Sequence, residues 1–143
     1  MEERIIIASG YFDPLHVGHI EYLKKAKDLG GRLVVILNND KQCELKKGKS
    51  FMPENERKII LESLEFVDEV FLSIDETKSV CDSIGAIAQK YKDREKLFAK
   101  GGDRFSYEIP EAKVCQEENI KIVDRLGNKI QSSSNLTGLK EKQ

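Results

Sequence analysis

Short all-apolar runs alternate along this chain with stretches whose apolar residues recur at helical spacing. Residues 4–9, Arg-Ile-Ile-Ile-Ala-Ser, form a β-branched run ended by Gly10, which predicts a strand buried on both faces. Beyond the loop from Gly10 to His16, the residues Val17, Ile20, Leu23 and Ala26 recur at helical spacing, and Gly30-Gly31 supplies a stop. A helix with those four side chains inward is predicted. Leu33 to Leu37 is a second all-apolar run, and a second buried strand after one helix implies a right-handed βαβ unit in a parallel sheet. Asn38 to Met52 is polar and lysine-rich and predicts a long loop, after which Pro53, Glu54 and Glu56 open a helix carrying Ile59, Ile60, Leu64 and Phe66. Val67 to Ile74 predicts a third strand, Val80 to Tyr91 a third helix with Val80, Ile84, Ile87 and Tyr91 inward, and Leu97 to Ala99 a short fourth strand. Pro110 opens another helix, Ile120 to Val123 makes a fifth strand, and a last helix can start at Ser132.

Five strands alternating with helices predict a single-domain, Rossmann-like, doubly wound α/β sheet of about five parallel strands with helices on both faces. The 143 residues suit one domain spanning 1–143, with no repeat and no linker. In such a sheet ligands bind beyond the carboxyl ends of the strands. The loops 10–19, 38–50, 100–104 and 125–134 are therefore where function is expected.

Composition narrows the function. Hydrophobic residues at 39% and charged residues at 34% describe a globular chain, and Lys plus Arg (24) nearly cancels Asp plus Glu (25). That balance lacks the basic field of a nucleic-acid binder, so a small-molecule partner is expected and nucleic acid is not. Cys43, Cys81 and Cys115 are odd in number and widely spaced, which signals neither a disulfide framework nor a zinc site. The N-terminal apolar run is too brief for a signal peptide or membrane span, so a cytoplasmic location with no membrane partner is expected.

The strongest chemical signal is Gly10-Tyr11-Phe12-Asp13-Pro14-Leu15-His16-Val17-Gly18-His19, between the first strand and first helix. A glycine-bounded loop lets backbone N–H groups approach phosphates, and the following helix offers unpaired N–H groups and a positive dipole end. His16 and His19, the only two histidines, sit three apart, so both imidazoles project from one face of the first turn toward one phosphate. A zinc site would need a third ligand, and no Cys or further His is nearby. Lys46, Lys47 and Lys49 cluster in the long loop, where point charges hold phosphates. After the fourth strand, Lys100-Gly101-Gly102-Asp103-Arg104 combines two glycines that permit close approach with a carboxylate able to accept from sugar hydroxyls.

The run from Gly10 to His19 resembles the G-x-F-D-x-x-H-x-G-H signature of the cytidylyltransferase-like nucleotidyltransferases. The resemblance extends to Lys46-Lys47-Gly48, Glu56-Arg57, Lys100-Gly101-Gly102-Asp103 and Ser132-Ser133-Ser134, nearly the whole chain. It implies His16, His19 and Lys47 as catalytic groups, with the two histidines at the α-phosphate. It implies Gly10, Tyr11, Phe12, Asp13, Gly18, Arg57, Lys100, Gly102, Asp103, Ser132, Ser133 and Ser134 at the nucleotide. Lys46 and Arg125 are implied at the acceptor phosphate, with Arg125 spaced differently from the family's usual arginine. Mg2+ accompanies the triphosphate in that family. The partners implied are a nucleoside triphosphate and a phosphorylated small molecule, with a homodimer as the expected assembly.

The wording Lys-Gly-Gly-Asp is most similar to ADP-heptose synthase adenylyltransferase domains and less so to glycerol-3-phosphate cytidylyltransferases, which favours ATP. Sugar phosphates, alcohol phosphates and flavin mononucleotide all remain open as acceptors, and so do a flavin-type adenylyltransferase and a catalytically silent nucleotide-binding regulator. Class I tRNA synthetases share the histidine motif, but this length leaves no room for an anticodon-binding domain. A redox or purely structural α/β protein has no support from the cysteines or the glycine loop.

Overall fold

The computed structural model describes residues 3–101 and 109–123. In chain order the elements are β1 (Ile5–Gly10), α1 (Val17–Lys27), β2 (Arg32–Leu37), α2 (Asp40–Lys47), α3 (Glu54–Glu62), β3 (Glu69–Leu72), α4 (Cys81–Lys90), β4 (Lys96–Ala99), α5 (Glu111–Glu117) and β5 (Lys121–Val123). The strands form one five-stranded sheet in the order β3-β2-β1-β4-β5, and every pairing is parallel.

Strand periodicity explains why helices cover both faces. Alternate side chains of a strand point to opposite sides, and here both sides are apolar. Ile6, Ala8, Leu33, Val35 and Leu37 pack on one face with Leu23 and Ala26 of α1 and Leu61 of α3. Ile5, Ile7, Val34 and Ile36 pack on the other with Ile84 and Ile87 of α4 and Cys115 of α5. The side chains of Ile5 to Ala8 and Leu33 to Leu37 are all fully buried, each large aliphatic one contributing about 1.5–3 kcal/mol of hydrophobic stabilisation. The sheet winds outward from β1 through β2 to β3, then resumes on the other side of β1 with β4. Strand order thus reverses between β1 and β4, the crevice where doubly wound sheets take ligands.

Four local expectations are corrected. The polar stretch 38–52 is not all loop, because α2 forms within it. Asn39 caps α2, its Oδ1 accepting from Gln42 N–H at 2.8 Å while Gln42 Oε1 accepts from Asn39 N–H at 3.0 Å. This reciprocal cap satisfies donors at the helix start. Gln42 is fully buried, and its amide donates to the carbonyls of Thr77 and Ser79, so polar bonds take the place of an apolar seam. Val17 does not face inward but is 82% exposed, since it is the first residue of α1, short of the seam made by Leu23 and Ala26. On α3 the inward positions are Arg57 and Leu61, while Ile59 is 61% exposed. β3 is shorter than the run Val67 to Ile74, because Ile74 is 58% exposed beyond the sheet edge.

Candidate functional site

β1 runs directly into the loop that opens the crevice. A Cβ on Gly10 would lie 2.7 Å from the Phe12 ring, so only glycine lets that ring fold back against the strand. Phe12 adopts φ 50, and its ring is 2% exposed, meeting His19 edge-on at 5.0 Å. The Asp13–Pro14 peptide that follows is cis.

The start of α1 is capped by imidazoles where Ser, Thr, Asp or Asn usually serves. His16 Nδ1 accepts the Gly18 N–H at 3.1 Å, and His19 Nδ1 accepts the His16 N–H at 3.1 Å. The two rings stack with centroids 3.7 Å apart and 25° between planes. A ring nitrogen that accepts a hydrogen bond carries no proton, so the N–H of each ring sits on Nε2. Both histidines are therefore set as Nε2–H donors, side by side at the positive end of a helix. Burial first, and the charge of His16 second, hold the His19 imidazole down to about 4.

A pH dependence follows. The unfolded chain protonates His19 near its ordinary value of about 6.5, whereas the folded protein leaves it neutral until about 4. Between those values the unfolded state binds more protons, so this group's contribution falls as pH falls from about 6.5 toward 4. An NMR titration of His19 with a midpoint near its ordinary value would contradict the arrangement.

Gly18 has a steric task in the same cap. A Cβ there would sit 3.0 Å from His16 Cε1 and 3.2 Å from its Nδ1. Gly18→Ala is expected to change stability by less than about 1 kcal/mol, since alanine is the better helix former, while displacing the His16 ring. Turnover should fall about ten-fold or more for a donor shifted out of place. A Gly18→Ala protein with normal turnover would show that the ring has room to adjust.

Asp13 turns away from solvent and fastens the loop to the segment between α2 and α3. Its buried carboxylate accepts the Phe51 N–H at 2.7 Å and the Met52 N–H at 2.6 Å. Lys47 Nζ lies 3.0 Å from Oδ2 and donates to the Asp13 carbonyl at 3.1 Å. Burial alone would raise this carboxyl, but the Phe51 amide, Lys47 and the Met52 amide outweigh it and hold Asp13 below the usual range. Asp13 thereby positions Lys47 beside the loop.

Arg57 is 1% exposed and pins the same region from below. Its Nε donates to the Met52 carbonyl at 2.9 Å. Nη1 donates to the Tyr11 and Asn38 carbonyls at 2.8 and 2.7 Å, and Nη2 to Asp40 Oδ1 at 2.8 Å. The guanidinium thus holds the ends of β1 and β2 and the α2–α3 connection together. Lys46 Nζ sits 4.3 Å over the Tyr11 ring, a cation–π contact that returns this lysine to the motif loop. Burial, then the charges of Cys43 and Glu111, push the Tyr11 hydroxyl up. Lys100, 8% exposed, lies at the end of β4 with Nζ donating to the Gly101 carbonyl at 3.2 Å.

The structure therefore brings together Gly10, Tyr11, Phe12, Asp13, His16, Gly18, His19, Lys46, Lys47 and Arg57 at the carboxyl ends of β1 and β2, with Lys100 just past the end of β4. Gly102, Asp103, Arg125, Ser132, Ser133 and Ser134 lie outside the described residues. Sequence reasoning missed Asn38, whose carbonyl is an Arg57 acceptor, and Asn39 with Gln42, whose Asn-x-x-Gln spacing is a legible capping signal. It also missed Tyr22 of α1, which reaches across to β4. Among the described residues no group of three His, Cys, Asp or Glu side chains could hold a metal ion, and no helix is long and apolar enough to cross a membrane.

A parallel 3-2-1-4-5 sheet whose switch point carries a glycine loop and an imidazole-capped helix defines a nucleotide-binding α/β protein. The chain belongs to the cytidylyltransferase-like family, a class of nucleotidyltransferases, whose model matches residues 7–134. Bifunctional protein HldE of Nitratiruptor sp. is 32% identical over 124 residues, 85% of this chain and 25% of that protein. Bifunctional protein HldE of Citrifermentans bemidjiense is 35% identical over 144 residues, 92% of this chain and 28% of that protein. FAD synthase of Thermococcus sibiricus is 49% identical over 70 residues, 47% of this chain and 46% of that protein. This chain thus spans about a quarter of the HldE proteins and under half of the FAD synthase. A crystal structure of the lipopolysaccharide core biosynthesis protein from Thermoplasma volcanium superposes with a TM-score of 0.69 at 27% identity, over 89% of this chain and 99% of that one.

Proposed function

We propose that residues 1–143 form one nucleotidyltransferase domain, which moves a nucleoside monophosphate from ATP or CTP onto a phosphorylated small molecule and releases pyrophosphate. Adenylyl transfer to a sugar phosphate, of the ADP-heptose synthase type, is favoured. The observation that carries the reading is the pair of histidines fixed as Nε2–H donors at the switch point. An acceptor phosphate oxygen attacks the α-phosphorus, and pyrophosphate leaves from the opposite side. No protein nucleophile is required. His16 and His19 donate to the α-phosphate as its charge develops, the N-terminus of α1 adds its dipole, and Lys46 and Lys47 neutralise the anions. Mg2+, which the family resemblance implies, would accompany the triphosphate and help neutralise its charge.

The FAD synthase relative supports a second reading, adenylyl transfer to a flavin phosphate, since its matched segment is the most similar in sequence of those above. A grid of four nucleoside triphosphates against phosphorylated sugars, alcohols and flavin mononucleotide, scored by pyrophosphate release with Mg2+, separates these. ATP is expected to give the higher kcat/KM. Equal or better rates with CTP would remove the adenylyl preference, and no release with any pair would remove the reaction itself. Elemental analysis should find no stoichiometric zinc, because a zinc site needs a third soft ligand beside the histidines.

A further inference from the structure

The hydrogen-bond ladder between β1 and β4 stops short of the strand ends. Ile5 N–H donates to the Glu95 carbonyl at 2.8 Å, and the register runs Ile5 to Lys96, Ile6 to Leu97 and Ile7 to Phe98. In a parallel pair of this register the next rung would join Ser9 N–H to the Ala99 carbonyl. A side chain stands in that place. Ser9 N–H donates to the Tyr22 hydroxyl at 3.3 Å, and the Tyr22 hydroxyl donates to the Ala99 carbonyl at 2.5 Å.

The parting is confined to this one gap. On its other edge β1 stays paired with β2 as far as Gly10 and Leu37, and Lys100 N–H turns to the Val123 carbonyl beside β5 at 2.8 Å. The strands separate only at the switch point, and one phenolic oxygen fills the space. The Tyr22 ring packs against the core on the α1 face. Burial pushes its hydroxyl up to about 12, so the group keeps its proton and serves as acceptor and donor at once.

We propose that Tyr22 is a positioning residue for the nucleotide: its hydroxyl is the spacer that holds β1 and β4 apart and sets the width of the crevice. This rests on the proposed nucleotidyl transfer and deepens it. Tyr22 acts on the nucleotide through the strand ends, on α1 less than one turn beyond His19. The acceptor, approaching from the opposite side of the α-phosphorus, depends on that width much less.

Tyr22→Phe keeps the ring and removes only the oxygen. Ser9 N–H and the Ala99 carbonyl then face each other, and a direct bond of about 2.9 Å draws the strands together. Titration of the folded variant with ATP should show binding weakened about ten-fold, the scale of one hydrogen bond's worth of misfit. The acceptor KM should move by less than about two-fold. A purely structural tyrosine would lower the melting temperature without that split. Unchanged ATP affinity, or equal shifts for both substrates, would overturn the proposal. If the wild-type protein binds no nucleoside triphosphate, the functional reading fails separately. The spacer is then judged from a crystal structure of Tyr22→Phe: closure of β1 onto β4 supports it, and an unchanged gap overturns it.

Discussion

His19→Ala is expected to lower kcat about 100- to 1000-fold, the usual loss for one preorganised donor to developing charge. Nucleotide affinity should change far less, because on the proposed reading the lysines, loop amides and helix dipole would still hold the triphosphate. The cap geometry adds a second consequence. His19 Nδ1 is the acceptor for the His16 N–H, so alanine also frees that donor at a cost of about 0.5–2 kcal/mol. His19→Asn offers both an acceptor and an N–H donor on a shorter side chain, and should recover stability more fully than rate. Near-normal turnover in a folded His19→Ala protein would make the histidine pair structural and end the catalytic argument.

Arg57→Met should produce the largest loss of stability, about 3–5 kcal/mol, the range found when one partner of a buried ionic network is removed. Methionine roughly fills the volume but leaves the Tyr11, Asn38 and Met52 carbonyls without a donor and the Asp40 carboxylate without its guanidinium partner. Lysine would keep the charge but not the fork that reaches several acceptors at once. Urea unfolding is the direct check. A midpoint near that of the wild type would mean that water replaces the guanidinium at little cost, and that Arg57 is free to serve a ligand.

The fold was legible because its central strands are extreme. Runs such as Ile5 to Ala8 and Leu33 to Leu37 bury both faces, and in a chain of this length that pattern has few solutions besides a parallel sheet between helices. Helix α2 escaped notice because its buried positions are Gln42 and Cys43, which carry no apolar rhythm. Its Asn39 to Gln42 cap was the available signal. Val17 and Ile59 misled for the opposite reason, being apolar residues at helical spacing that face solvent. At the site, motif spacing located the loop and the histidines, and the local reach of residues three apart made the cap arithmetic accessible. The tasks of Arg57 and Asp13 were not accessible, since partners of Arg57 include carbonyls 46 and 19 residues away in the chain and partners of Asp13 lie 34, 38 and 39 residues away. Spacing within a motif records nothing of such distant partners.

The Asp13 clamp bears on transplantation. Because its carboxylate takes its hydrogen bonds from Phe51 and Met52, the decapeptide from Gly10 to His19 is not a portable module. A chimera that grafts this decapeptide alone onto another parallel sheet would bury a carboxylate with no donors to meet it. One that also carries residues 38–57, so that Lys47 and Arg57 travel with the Asn38 and Asp40 acceptors, transfers a closed unit. Recombination between members of such a family should therefore tolerate breakpoints in the outer connections and reject any that separate these two segments.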